Sequence, residues 1–200
     1  MFVTLEGIDG AGKSTQARLL ADALGPDALL LREPGGTPAG ERLRDLLKDR
    51  SVELTLRAEL LLFCAARAEL VERVIRPALA AGRHVVCDRF VDSTVAYQGG
   101  ARGLDAPLVG ELNAAAVDGC WPDRTVLLRV DPRRAAERAG ERRGAEAAAD
   151  RFEGEGIDFQ VAIAAAFERI AAAEPDRVAV VEAAGSVEEV HARVVAAVGL

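Results

Sequence analysis

The chain has 200 residues, half of them hydrophobic, and a formal net charge of −7 from 25 basic and 32 acidic side chains. This length suits one domain with a full core, and the acidic balance argues against a nucleic-acid partner, which would need a basic face. The sequence contains neither an apolar stretch long enough to span a membrane nor a charged start followed by an apolar run. We therefore expect no membrane partner and no signal peptide, and we predict a cytoplasmic protein.

Short apolar runs alternate with stretches of helical pattern along the chain. Strands are predicted at residues 2–6, 28–32, 83–87, 125–130 and 177–182. Helices are predicted at residues 14–24, 38–48, 54–81, 105–117, 132–142, 156–173 and 186–198. Continuous apolar strands separated by helices favour a parallel sheet covered on both faces. We therefore predict an α/β fold with a doubly wound, five-stranded parallel sheet, in a single domain over residues 1–200.

The first strand is followed by a glycine-rich loop that fits the pattern G-x-x-x-x-G-K-[ST], the Walker A or P-loop motif. A strand before the loop and a helix after it supply the context that the motif requires. The loop backbone and the helix N-terminus direct N–H groups at an anion, Lys13 can reach the β- and γ-phosphates, and Ser14 can bind Mg²⁺. The predicted ATP-binding residues are Gly7, Ile8, Asp9, Gly10, Ala11, Gly12, Lys13, Ser14 and Thr15.

Polar residues also follow the second and third predicted strands. Arg32-Glu33 comes after the second strand, and Asp88-Arg89 follows the third. Ligands of doubly wound sheets bind beyond the carboxyl ends of the strands, so these residues should lie at the same edge as the P-loop. Asp88 has the position of a carboxylate that holds Mg²⁺, and Arg89 can bind a second phosphate. A local ion pair between Asp88 and Arg89 is the simpler alternative.

Several segments together resemble thymidylate kinases of the bacterial kind, over essentially the whole chain. The matching segments are residues 5–15, 32–38, 61–67, 88–103 and 150–153. The P-loop is shared by many enzymes, whereas the 88–103 segment is highly specific. The resemblance implies a homodimeric P-loop kinase with a small lid, which phosphorylates dTMP to dTDP with ATP and Mg²⁺ in dTTP biosynthesis.

The resemblance implies a role for each residue of the acceptor side. Phe63 would stack on the thymine ring, and Arg67, one helical turn later, would hydrogen-bond the base. Thr94 and Gln98 would also line the base pocket. Tyr97 would pack where a 2′-hydroxyl would project and so favour deoxyribose.

The phosphate side is assigned in the same way. Arg89 would bind the dTMP phosphate, and Asp9 would lie near the metal and the acceptor nucleotide. Arg32 and Glu33 would shape the acceptor side. Ser14 and Asp88 are the expected metal ligands, and Lys13 and Asp9 are counted among the catalytic residues.

Residues 138–155 are charged and punctuated by glycine, a composition that suits either a mobile lid or an ordinary solvated loop. Some relatives, the eukaryotic ones included, carry an arginine inside the P-loop where this chain has Gly10. The bacterial subtype is expected to place its catalytic arginine in the lid. The candidates are Arg138, Arg142, Arg143 and Arg151, of which Arg143 is preferred.

Two other functions remain open at this point. One is a kinase for another nucleoside monophosphate or for a deoxynucleoside, against which Phe63, Arg67 and the 88–103 segment argue. The other is a non-catalytic P-loop switch, which would not need a second phosphate site at Arg89 or an arginine-rich flap.

Overall fold

A computed structural model describes residues 1–143, 152 and 155–200, with only the backbone of residues 139 and 141–143. The greater part of the predicted lid at 138–155, Arg151 included, therefore lies outside the described residues. The assignment of the whole chain to one domain stays a prediction.

Five parallel strands form one sheet in the described part of the chain, with the order β2-β3-β1-β4-β5. The strands are β1 (Phe2–Glu6), β2 (Leu29–Arg32), β3 (Val85–Asp88), β4 (Arg124–Arg129) and β5 (Val178–Glu182). The predicted α/β fold with a five-stranded parallel sheet is confirmed, and each strand begins and ends within two residues of its predicted bounds.

Helices connect these strands. They are α1 (Lys13–Leu24), α2 (Pro38–Lys48), α3 (Leu56–Leu70), α4 (Arg76–Ala80), α5 (Val91–Thr94), α6 (Ala106–Val117), α7 (Pro132–Arg143), α8 (Ile157–Ala173) and α9 (Val187–Val198), with π-helical segments at Val71–Ile75 and Val95–Ala101. Two caps agree with their sequence signatures. Thr37 accepts a hydrogen bond from the Gly40 N–H at 2.9 Å, and Ser186 forms a reciprocal capping box with Glu189.

The predicted 54–81 helix consists of α3 and α4 joined by the π-helical segment Val71–Ile75, in which the Arg76 N–H donates to the Val71 carbonyl. Pro77 lies just beyond this segment. Proline has no N–H to donate, and its ring crowds the carbonyl four residues earlier. The wider π turn accommodates this crowding without ending the helix.

The sequence analysis missed the helical stretch from Val91 to Ala101. β-Branched residues and the Gly99-Gly100 pair have low helix propensity, so the pattern gave no helical signal there. Tertiary packing explains why position 100 is a glycine, because a Cβ there would collide with the Ala166 side chain on α8. The stretch is helical because α8 packs closely against it.

The strand order places the ends of β2, β3 and β1 side by side. Arg32 is in register with Asp88, and Asp88 with Leu5. The polar residues that follow these strands therefore share one edge of the sheet, as predicted. Every residue of β1 is buried, so this edge rests on a rigid central strand. Among the described helices, none is both long and apolar enough to cross a bilayer.

Candidate active site

The P-loop lies between β1 and α1, and two of its glycines are required by close contacts. Gly7 has φ +139°, and a Cβ there would lie 2.7 Å from the Leu128 carbonyl oxygen of β4. Gly10 has φ +81°, and a Cβ there would collide with the carbonyl oxygen of Ala135 on α7. Both backbone conformations disfavour residues with a Cβ. The loop is therefore fixed by neighbouring backbone as well as by its own turns.

Lys13 begins α1 and is buried, with 6% of its surface exposed. Its Nζ donates a hydrogen bond to the Ile8 carbonyl at 2.8 Å, which holds the side chain against the loop. Burial lowers the pKa of Lys13 to about 8, and the nearby charge of Arg89 acts in the same direction. An anion in the loop would oppose both effects and favour the charged ammonium.

Ser14 and Asp88 bring two oxygen ligands together at the start of α1 and the end of β3. The Ser14 hydroxyl donates to Asp88 Oδ2 at 2.5 Å. A hydroxyl and a carboxylate fit Mg²⁺, which binds few protein oxygens and completes its octahedron with water and phosphate. The described residues contain no cluster of three or more His, Cys, Asp or Glu side chains that could hold a metal by themselves. The pair therefore suits a phosphate-bound Mg²⁺ better than a metal caged by the protein.

Arg89 follows Asp88 and adopts a left-handed backbone conformation, with φ +73°. Its guanidinium forms an ion pair with Asp9 and donates to the Gly7 carbonyl at 3.2 Å and to the Ser93 hydroxyl at 3.1 Å. Burial opposes ionisation of Asp9, but the charges of Arg89 and Lys13 outweigh burial and hold the pKa of Asp9 below its usual value. The simpler alternative from the sequence analysis was an ion pair between Asp88 and Arg89. In the structure, Arg89 pairs with Asp9 of the P-loop instead.

Glu6, which the sequence analysis did not select, fixes the turn that carries Arg89. Glu6 is fully buried, and its carboxylate accepts hydrogen bonds from the N–H groups of Phe90 and Ser93 at 2.8 and 3.1 Å. It also accepts from the Ser93 hydroxyl at 2.6 Å. Burial, together with the charge of Asp92, raises the pKa of Glu6 to about 7. A charged residue at the end of a mainly apolar strand was the available signal.

A cavity of about 230 Å³ joins the P-loop to the residues after β2 and β3 and to α3. Most of the predicted site residues line it. They are Asp9, Gly10, Gly12, Lys13, Ser14, Arg32, Glu33, Phe63, Arg67, Asp88, Arg89, Thr94, Tyr97 and Gln98. The other predicted loop residues, Gly7, Ile8, Ala11 and Thr15, do not border this cavity.

Aromatic rings form the wall of the cavity away from the P-loop. Phe63 and Tyr97 are joined by Phe152, whose ring centroid lies 5.8 Å from that of Phe63 and 6.4 Å from that of Tyr97. The guanidinium of Arg89 lies 5.0 Å from the centroid of the Tyr97 ring. Flat apolar walls beside a fixed cation suit a ligand with a ring and a phosphate.

Arg67 also lines the cavity and is only 1% exposed. Its Nη2 donates to Glu33 Oε2 at 2.7 Å and to the Thr94 hydroxyl at 3.0 Å, and its Nη1 donates to Asn113 Oδ1 at 2.6 Å. Burial alone would lower the pKa of Arg67, but the Glu33 carboxylate raises it above the usual value. Asn113 was missed by the sequence analysis, although a polar residue on the inner face of α6 was a signal.

The predicted lid arginines are only partly described. Arg138 donates from Nη1 to the Ala183 carbonyl at 3.2 Å and does not border the cavity. Arg142 and Arg143 lie at the end of α7, where only the backbone is described. The choice among them as the catalytic arginine remains a prediction.

One cavity at the edge of the parallel sheet contains a P-loop, the paired hydroxyl and carboxylate of Ser14 and Asp88, and the guanidinium of Arg89. This combination is typical of the class of P-loop nucleotide kinases. A family model described as thymidylate kinase matches residues 5–194. The chain belongs to the thymidylate kinase family.

Individual relatives agree over nearly the full length. The thymidylate kinase of Desulfovibrio desulfuricans is 50% identical over 197 residues, covering 95% of this chain and 91% of the relative. The thymidylate kinase of Solidesulfovibrio magneticus is 49% identical over 206 residues, covering 100% and 99%. A crystal structure of thymidylate kinase from Ehrlichia chaffeensis superposes with a TM-score of 0.81 at 35% identity, covering 100% of this chain and 98% of the other.

Proposed function

We propose that the cavity catalyses magnesium-dependent transfer of the γ-phosphate of ATP to the 5′-phosphate of dTMP. The chain is an enzyme that phosphorylates dTMP to dTDP, a step of dTTP synthesis, in keeping with its family. The observation that carries the assignment of this site is the continuity of one cavity from Lys13 and Ser14 to Arg89 and Phe63.

The donor phosphates are assigned to the P-loop side. The loop backbone and the start of α1 offer N–H groups, and Lys13 supplies a positive charge to the β- and γ-phosphates. Ser14 and Asp88 would hold Mg²⁺, whose charge offsets that of the phosphates. The 2.5 Å contact between these two side chains supports their pairing as ligands.

The acceptor is assigned to the aromatic side. Arg89 would bind the dTMP phosphate, oriented by its ion pair with Asp9. Phe63 would stack on the base, and Tyr97 would pack against the sugar. Arg67 would contribute to base binding beside Thr94 and Gln98, and its contact with Glu33 supports a fixed position for its guanidinium.

The chemistry requires positioning and charge neutralisation more than proton transfer. The attacking oxygen belongs to a phosphate that is already anionic, so a strong general base is unnecessary. A lid arginine, Arg143 by preference, would supply a further positive charge to the transferring group. Exclusion of water by the lid would protect the phosphate from hydrolysis.

We also infer a homodimer in the cytoplasm. The homodimer is implied by the family resemblance, and the apolar segment 60–66 of α3 is a candidate surface for it. This segment faces the core in part, since Leu60, Cys64 and Ala66 are buried. Leu61 is 46% exposed, and Ala65, one turn later on the same helical stripe, is exposed as well. This exposed apolar stripe of α3 supports the proposed contact between two copies.

A coupled assay of ADP formation tests the proposed function. ATP and Mg²⁺ are combined with dTMP, dUMP, UMP, AMP or thymidine in separate reactions. We expect the highest kcat/KM with dTMP, and a loss of turnover when Mg²⁺ is chelated. Lys13→Ala is the control for contaminating kinases and should lose most activity while remaining folded. A folded wild-type protein that forms no ADP with dTMP would refute the proposal.

A further inference from the structure

The amide of Gln98 is held by a buried carboxylate behind the aromatic side of the cavity. Gln98 belongs to the π-helical segment 95–101, lines the cavity and is 1% exposed. Its Nε2 donates to Glu59 Oε1 at 2.8 Å. Glu59, on α3, is also 1% exposed and accepts a second hydrogen bond from Arg102 Nε at 2.9 Å. Because Glu59 does not line the cavity, the amide is anchored by a residue outside the ligand space.

The chemistry of this contact sets the direction of the amide. The two ends of a glutamine amide have nearly the same shape, but one end donates hydrogen bonds and the other accepts them. An ionised carboxylate paired with arginine only accepts, so the nitrogen of Gln98 must face Glu59. The reverse orientation would place two acceptor oxygens in contact without a proton between them. The oxygen of Gln98 is consequently fixed away from Glu59.

This direction matters because pyrimidine bases differ in the same property. Thymine and uracil carry an N3–H donor between two carbonyl acceptors. Cytosine carries an unprotonated N3 acceptor beside a 4-amino donor. A glutamine that can turn over reads either edge, whereas a glutamine with a fixed oxygen accepts only from the N3–H of a 2,4-dione.

We propose that Glu59 is a specificity-determining positioning residue, which holds the Gln98 amide in the orientation that accepts a pyrimidine-2,4-dione and rejects a 4-aminopyrimidine. The proposal rests on the proposed function, in which the base lies against Gln98. Arg102 completes the arrangement, since it also pairs with Glu155 at 2.8 Å and lies over the rings of Phe152 and Phe159 at 5.6 and 5.0 Å.

The test is Glu59→Met, which keeps the length of the side chain but removes both carboxylate oxygens, so that nothing at position 59 directs the Gln98 amide. A substituted amide would not serve, because Arg102 and Gln98 donate to the same oxygen, Oε1. We measure kcat/KM for dTMP, dUMP and dCMP. The ratio of dTMP to dCMP should fall about tenfold or more, because Gln98 can then turn. The ratio of dTMP to dUMP should stay constant, since both carry the same dione edge. A purely structural role would lower all three values together.

Glu155→Gln is the matched control, because it removes the other carboxylate of Arg102 without touching Gln98. It should leave the dTMP-to-dCMP ratio unchanged. Glu59→Asp keeps an acceptor-only carboxylate and should retain the preference even if its rate falls. It provides the test if thermal unfolding shows that Glu59→Met is not folded. An active wild type with an unchanged ratio in folded Glu59→Met, or a lost preference in Glu59→Asp, overturns the role of Glu59. Inactivity of the wild type on dTMP would instead refute the proposed function.

Discussion

Glu33 and Arg67 form a buried ion pair between the turn after β2 and helix α3, with Oε2 and Nη2 2.7 Å apart. The two side chains are 4% and 1% exposed and lie 34 residues apart in the chain. The turn after β2 and helix α3 are thus joined by opposite charges that are largely shielded from water. Because a buried charge depends on its partner, this contact should be important for stability as well as for the shape of the cavity.

Glu33→Ala should lower the free energy of unfolding by about 3–5 kcal/mol, because the buried guanidinium of Arg67 loses its counter-charge. The control is Glu69→Ala, which breaks an exposed ion pair with Arg73 and should cost no more than about 1 kcal/mol. Urea unfolding of the three proteins measures both values. Equal losses of unfolding free energy in the two variants would show that the buried pair contributes no more to stability than the exposed pair.

Glu6 should make stability depend on pH. Its pKa is 4.5 in a model peptide and about 7 in the fold, so the folded chain keeps a proton that the unfolded chain releases in this window. The contribution of Glu6 to the free energy of unfolding is therefore fully present below pH 4.5 and is lost as pH rises through 7. Asp92, Arg89, Lys13 and Arg67 are among the charged groups that act on it.

Glu6→Gln cannot titrate and removes this contribution. From pH 4.5 to 8, the unfolding free energy of the wild type should fall relative to that of Glu6→Gln by about 3 kcal/mol. Urea unfolding at several pH values measures the difference. Parallel pH profiles for the two proteins would contradict a titrating Glu6.

Tyr97 should discriminate against ribose through its ring. Tyr97→Leu removes the ring from the cavity wall, whereas Tyr97→Phe keeps it and loses only the hydroxyl, which lies 3.5 Å from Asp9. The preference for dUMP over UMP, measured as a ratio of kcat/KM values, should fall about tenfold in Tyr97→Leu and persist in Tyr97→Phe. If the preference for dUMP over UMP survives in both variants, the Tyr97 ring is not its source.

Arg143→Ala should lower kcat by on the order of 10²-fold or more, because a transition-state charge is lost. The KM for dTMP should change much less, since the residue would act fully only on closure. Arg142→Ala and Arg138→Ala are the comparisons, and Arg138 also loses its contact with the Ala183 carbonyl. Near-parental kcat in all three variants would redirect attention to Arg151 or Arg32.

The exposed stripe on α3 should mediate self-association. Light scattering of the wild type at micromolar concentration should give twice the mass of the chain. Leu61→Glu places a charge in the proposed contact and should give a single-chain mass without loss of fold, because Leu61 is not part of the core. A monomeric wild type would contradict the dimer, and a dimeric Leu61→Glu would place its interface elsewhere.

The sheet was predictable because its strands are continuous apolar runs, and the P-loop because its motif is local in sequence. The stretch 91–101 was not, since its helical form depends on α8 rather than on its own propensity. The ion pair of Arg67 was not predictable either, since the sequence analysis assigned Arg67 only to the base. Which partner it has, Glu33 with Asn113, depends on the distance between elements far apart in the chain.

The same limit applies to the residues behind the cavity. Glu6 and Glu59 carry no motif of their own, and their importance follows from which polar groups they contact when buried. A sequence pattern identifies groups that could bind a ligand. It does not identify the side chains that orient those groups.

The contact between Gly10 and the carbonyl of Ala135 restricts how this enzyme can evolve. An arginine at position 10 would need the space that α7 occupies, so it could enter only if the helix that ends in Arg142 and Arg143 moved away. An arginine at position 10 and α7 in its present position therefore compete for one volume. A lineage passing from one arrangement to the other must cross intermediates in which the loop or the helix is displaced, and a single substitution cannot make that transition.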